Sequence, residues 1–102
     1  MIVVRNVFQL KFGKAKEAVE LWKEGMAIAK RLGFPAKSSR ILTDLVGQYY
    51  TLVFESTFES LSDFENGGKK IMSNPEWGAW YAKVIAITDS GYREIFNLVM
   101  EQ

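Results

Sequence analysis

The stretch SSRILTDLVGQYYTLVFES, Ser38–Ser56, decides the fold. In its second half Tyr50, Leu52 and Phe54 alternate with Tyr49, Thr51, Val53 and Glu55. Alternation with β-branched and aromatic content is the pattern of a strand that buries one face. Ser38–Val46 reads as a strand too, and Gly47 between the two marks a tight turn. The segment predicts a β-hairpin over Ser38–Val46 and Gln48–Ser56, with no helix between its strands.

On the N-terminal side, Lys14–Leu32 follows helical spacing, with Ala15, Ala18, Val19, Trp22, Met26 and Ala29 on one stripe and Lys16, Glu17, Glu20, Lys23, Glu24 and Lys30 largely off it. Gly33 suits the residue just past the helix end, and Pro35 bars continuation. Ahead of Gly13, Ile2–Phe12 alternates. Ile2, Val4, Phe8, Leu10 and Phe12 share a face with one polar residue, Asn6. Since neighbouring side chains in a strand point to opposite faces, Asn6 is expected to face the helices.

On the C-terminal side, Ser60 looks like a helix N-cap, with Asp63 in the capping-box position. The helix that begins at Leu61 carries Gly67 and Gly68, each costing about 1 kcal/mol relative to Ala. Asn74-Pro75 restarts it, Asn as N-cap and Pro in the first turn. Trp77, Trp80, Tyr81 and Val84 supply the apolar face. Gly91 reads as the helix end and Tyr92–Met100 as the last strand.

The order is β-α-β-β-α-β in one domain spanning 1–102. This is an α+β, ferredoxin-like arrangement: a four-stranded antiparallel sheet with its helices on one face. The other face keeps Val3, Val7 and either Val53 or Ile95, and a second copy of the chain is the simplest cover. A homodimer is the expectation. Of the strand charges Arg5, Arg40, Asp44, Glu55, Arg93 and Glu94, some should face that interior and pair across the dimer.

Composition narrows the function classes. Thirteen basic and twelve acidic residues among 102 leave a net charge of +1, which offers no electrostatic ground for nucleic acid or for an anionic membrane. Polar residues interrupt MIVVRNVFQLKF, so it reads as neither signal peptide nor membrane span. There is no Cys and no His. The first fits a reducing, cytoplasmic setting. Together they remove the usual ligands of zinc and haem, so no metal and no cofactor is expected. Gly67-Gly68-Lys69-Lys70 lacks the spacing of a phosphate-binding loop.

Four segments carry a family resemblance: VFQLKFGK (Val7–Lys14) leading into Glu17-Ala18-Val19, then FESTFESLSDFE (Phe54–Glu65), NPEWGAWYAKV (Asn74–Val84) and DSGYREIFNLV (Asp89–Val99). Together they resemble the NIPSNAP-like branch of the dimeric α/β-barrel superfamily across nearly the whole chain. The resemblance implies a homodimer whose two sheets pack face to face into a barrel. It assigns no reaction, because one fold hosts many functions. The wider superfamily includes cofactor-free antibiotic monooxygenases, haem-degrading monooxygenases and muconolactone-isomerase-like proteins. In the haem-degrading relatives an Asn on the first strand reaches a pocket between sheet and helices, but those proteins also need a haem-ligating His, which this chain lacks. The antibiotic monooxygenases hold a phenolic substrate with Asn, Trp and Tyr. Asn6, Trp77, Trp80 and Tyr81 are the matching residue types here.

The candidate pocket is therefore Asn6, Trp22, Trp77, Trp80 and Tyr81. The competing interpretation makes the aromatics core and Asn6 a satisfied polar group within it. Three functions stay open: binding of a small apolar or aromatic molecule, cofactor-independent oxygenation of a phenolic or polyketide-like compound, and a structural or partner-binding dimer without a pocket. They separate on whether the layer between helices and sheet is open or filled. No residue is marked as catalytic.

Overall fold

The computed structural model describes residues 1–102. Its elements are β1 (Ile2–Leu10), α1 (Ala15–Arg31), β2 (Ser38–Thr43), β3 (Thr51–Phe58), α2 (Leu61–Met72), α3 (Pro75–Ala86) and β4 (Thr88–Asn97). The strands form one antiparallel sheet in the order β2-β3-β1-β4. This is the ferredoxin-like arrangement, with the second helical segment divided in two. No helix is long and apolar enough to cross a membrane.

The division of that segment follows from its caps. Ser60 Oγ accepts a hydrogen bond from the Asp63 N–H at 3.1 Å and starts α2. Asn74 Oδ1 accepts from the Glu76 N–H at 2.9 Å and starts α3, with Pro75 in its first turn. Gly67 does not break α2. A Cβ there would lie 2.4 Å from Pro35, so the missing side chain is what lets the α1–β2 connection pack against the helix.

Three boundaries differ from the sequence reading. The hairpin turn is not tight at Gly47: residues 44–50 form a longer loop between β2 and β3. Asp44 Oδ1 accepts from the Thr51 N–H at 3.0 Å, and Thr51 Oγ1 donates to the Gln48 carbonyl at 2.9 Å. These side-chain bonds supply the turn that Gly47 was expected to make alone. At the other end of the chain, α3 stops at Ala86, and Gly91 lies inside β4, paired with Phe8. A Cβ at 91 would meet the Phe8 ring at 2.7 Å, so this glycine makes room for an aromatic side chain and terminates nothing. β1 ends at Leu10, which leaves Phe12 80% exposed and edge-on to Tyr50 instead of under the helices.

Strand register settles the two faces. Under the helices lie the rows Ile41–Phe54–Asn6–Arg93 and Thr43–Leu52–Phe8–Gly91. Ile95 pairs with Val4 and so belongs to the helix side, not to the open face where it was an alternative to Val53. The open face carries the apolar row Leu42–Val53–Val7–Tyr92, with Phe96 beyond it. Beside it runs the charged row Arg40–Glu55–Arg5–Glu94.

Glu55 is only 5% exposed and bonds both neighbouring arginines, Arg5 Nε at 2.8 Å and Arg40 Nε at 2.7 Å. Within the chain these three charges pair with one another. Arg93 is placed differently. It lies on the helix side.

Two buried clusters hold the helices to the sheet. Leu10, Ala18, Trp22, Leu52, Trp80 and Val84, with Ile28 and Ile87, form the larger. Ile2, Val4 and Phe58 form the smaller, packed by Phe34, Ala36 and Phe64. Each fully buried large apolar side chain contributes about 1.5–3 kcal/mol. The buried stripe of α1 is Ala18, Trp22, Gly25 and Ile28. Met26 and Ala29, expected on that stripe, are half-buried and border a cavity.

Candidate functional site

The two clusters do not merge. Between sheet and helices lies a cavity of about 1010 Å³, walled by residues of both. Asn6 of β1, Trp22 of α1, and Trp77, Trp80 and Tyr81 of α3 all line it. The five candidates thus come from three elements into one wall.

Trp22 is the hub of the aromatic side. Its ring sits 5.1 Å from Phe8, 5.1 Å from Phe54 and 5.0 Å from Trp80, the last edge to face. Trp77 packs tilted against Trp80 at 4.4 Å, and Tyr81 lies 6.3 Å from the same ring, half open to solvent. Offset and edge-to-face contacts of this kind are worth about 0.5–1.5 kcal/mol each beyond area.

The two central indoles differ in one respect. Trp80 Nε1 donates to the Leu21 carbonyl at 2.7 Å. Trp22 Nε1 is buried and has no acceptor within the chain. Leaving such a donor unpaired costs about 1–3 kcal/mol.

Asn6 does not sit idle in its apolar row. Its Oδ1 accepts from Arg93 Nε at 2.8 Å, across the β1–β4 pair. Arginine has donors only, so the atom facing it must be the amide oxygen. The amide nitrogen is thereby directed away from Arg93, with two hydrogens to donate.

Arg93 in turn lies over the Phe64 ring, with Cζ 5.2 Å from the centroid. It was missed as a site residue because the last strand was started at Tyr92, with no register to β1. The signal was present: in an antiparallel pair Arg93 takes the face of whichever β1 residue it opposes. On the same wall Ser39 and Ser56 share a hydroxyl hydrogen bond of 2.8 Å. No group of three or more acidic side chains is placed to hold a metal ion.

The arrangement can hold an apolar, ring-containing molecule against stacked aromatics and present it with a few fixed donors. With no His and no Cys in the chain, it contains no nucleophile–base pair of the usual kind. Glu55, whose pKa is shifted, lies on the opposite face of the sheet.

No protein-family model and no curated protein matches the chain by sequence. Solved structures do match it. A NIPSNAP family protein from Agrobacterium tumefaciens superposes with a TM-score of 0.84 at 21% identity, covering 98% of this chain and 88% of that one. An uncharacterised NIPSNAP domain protein from Burkholderia xenovorans gives 0.82 at 16% identity, covering 97% and 95%. A variant of a cofactor-independent oxygenase from Streptomyces nogalater gives 0.75 at 12% identity, covering 98% and 94%. At these identities the likeness is one of fold. The chain has the fold of NIPSNAP-family structures and of the oxygenase alike.

Proposed function

We propose that this protein binds a small apolar or aromatic molecule in the cavity between its helices and its sheet. One observation carries the reading: the layer that a purely structural domain would fill is open, at about 1010 Å³, and is walled by stacked rings. Ligand sites are concave, mostly apolar and furnished with a few placed polar groups. The amide nitrogen of Asn6 is a group of that kind. The test is titration with 2-naphthol, followed by tryptophan fluorescence and calorimetry. Saturable binding to one site per chain is expected, weakened in Asn6→Leu with little change in thermal stability. Absence of saturable binding of both 2-naphthol and its carboxylate counterpart 2-naphthoate, or an Asn6→Leu variant that alters stability alone, would overturn the reading.

A second reading is cofactor-independent oxygenation of a phenolic or polyketide-like compound. It is favoured by Asn6, Trp77, Trp80 and Tyr81 lining a single cavity, and by the likeness in fold to an oxygenase of that description. Oxygen uptake with a phenolic naphthalene, in chelator-treated buffer, decides it. No uptake above the protein-free rate rejects it.

In both readings the protein works as a cytoplasmic homodimer. Support for the dimer comes from the open sheet face, where Tyr92 and Phe96 are exposed beside Val7 and Val53. A wet apolar face of this kind is rare on a monomer.

A further inference from the structure

Resting on the proposal that the cavity binds a ligand, we infer that this ligand is an anion: a carboxylate with an aromatic body, whose acid group is taken by Arg93. The chain has four arginines, Arg5, Arg31, Arg40 and Arg93. Arg5 and Arg40 share Glu55, and Arg31 pairs with Glu76 at 2.5 Å. Arg93 alone has no carboxylate partner; it bonds the neutral amide of Asn6. It is also the arginine that lines the cavity.

The way it is held matters. Asn6 takes Nε, and the Phe64 ring supports the guanidinium face. Both terminal nitrogens stay free, a planar fork whose spacing matches a carboxylate. The Asn6 contact orients this fork without neutralising it, which an aspartate in the same place would do. The charge around the cavity has the same sign. Lys30, Lys37 and Arg93 line it against a single carboxylate, Asp89. A neutral apolar ligand would use the rings and leave the fork in water. An aromatic acid uses both, its body against Trp22 and Trp77 and its acid at the exposed end of the cavity.

The experiment compares 2-naphthoate with 2-naphthol, which share a ring system and differ in the anionic group. Wild-type protein should bind the naphthoate at least ten-fold more tightly, with a preference that shrinks as salt is raised. In Arg93→Met the ratio of the two dissociation constants should fall to near one. Asn6→Asp supplies a second variant that keeps side-chain size. It gives Arg93 an internal carboxylate, and it too should erase the preference. Equal binding of both compounds by wild type, or a preference that survives both substitutions, would overturn the anion inference and leave the cavity reading standing. If neither compound binds, the cavity reading itself has failed, and the anion inference falls with it.

Discussion

Trp80 lies directly on the backbone of α1 at Gly25: a Cβ built at position 25 would come within 2.2 Å of its ring. The same indole donates to the carbonyl of Leu21, one turn earlier in α1. A glycine in mid-helix costs about 1 kcal/mol relative to alanine. Here it opens the notch through which α1 and α3 meet at close range, with Arg31 and Glu76 bridging the same two helices at the surface.

Gly25→Ala should therefore destabilise the protein although alanine is the better helix former. Forcing a methyl into a packed contact costs about 1–3 kcal/mol, more than the propensity gained. Gly78→Ala in α3 is the control, because nothing lies within 4 Å of a Cβ there. It should stabilise by about 0.5–1 kcal/mol. Urea denaturation of both variants checks this. A rise in midpoint for Gly25→Ala would contradict the notch.

The two indoles predict a second contrast. Trp80→Phe loses a hydrogen bond along with buried area, whereas Trp22→Phe removes a donor that has no acceptor. The first should cost about 1 kcal/mol more than the second. Equal losses in thermal unfolding would mean that the Trp22 N–H is satisfied in solution.

Glu55 sets an acid-side limit on stability. Burial works to raise its pKa, but the hydrogen bonds and charges of Arg5 and Arg40 outweigh it and hold the carboxyl below its ordinary value. The folded state then binds this proton less readily than the unfolded chain. The stabilisation is complete above the unfolded carboxylate pKa of about 4.3. It is lost as pH falls through the lower folded value. Glu55→Gln should lower stability at neutral pH by about 1–2 kcal/mol. It should also flatten the decline in acid. An unchanged acid profile would show that other carboxylates govern it.

The open sheet face makes the last prediction. Light scattering at micromolar concentration should give about twice the 11.6 kDa chain mass. Val7→Glu, at the centre of the row Leu42–Val53–Val7–Tyr92, should give the chain mass with the fold intact by circular dichroism. A wild-type monomer, or a dimer indifferent to Val7→Glu, rejects this face as the interface.

Much of the fold was legible in the chain because its signals are local. Period-two alternation set the parity of β1, so that Asn6 had to share a face with Val4 and Phe8. The Ser60 and Asn74 caps marked the starts of α2 and α3 because a cap bonds within three residues of itself. Glycine misled where its cause was distant. Gly91 resembled a helix stop, and Gly67 only a cost to its helix, because nothing local shows that a Phe8 ring or a Pro35 ring occupies the missing side chain's place.

The sequence alone determined which residues are apolar, on which parity they lie, and that one polar amide would stand among the rings. Only the tertiary structure decided what that amide does. Asn6 and Arg93 are 87 residues apart, and their bond exists because β4 closes against β1 in one particular register. A one-residue slip would have turned Arg93 to the open face with Glu94 in its place. The cavity is a property of the same kind. It arises because two buried clusters, each predictable as apolar, do not meet, and helix placement over a sheet depends on contacts that no short stretch of chain contains.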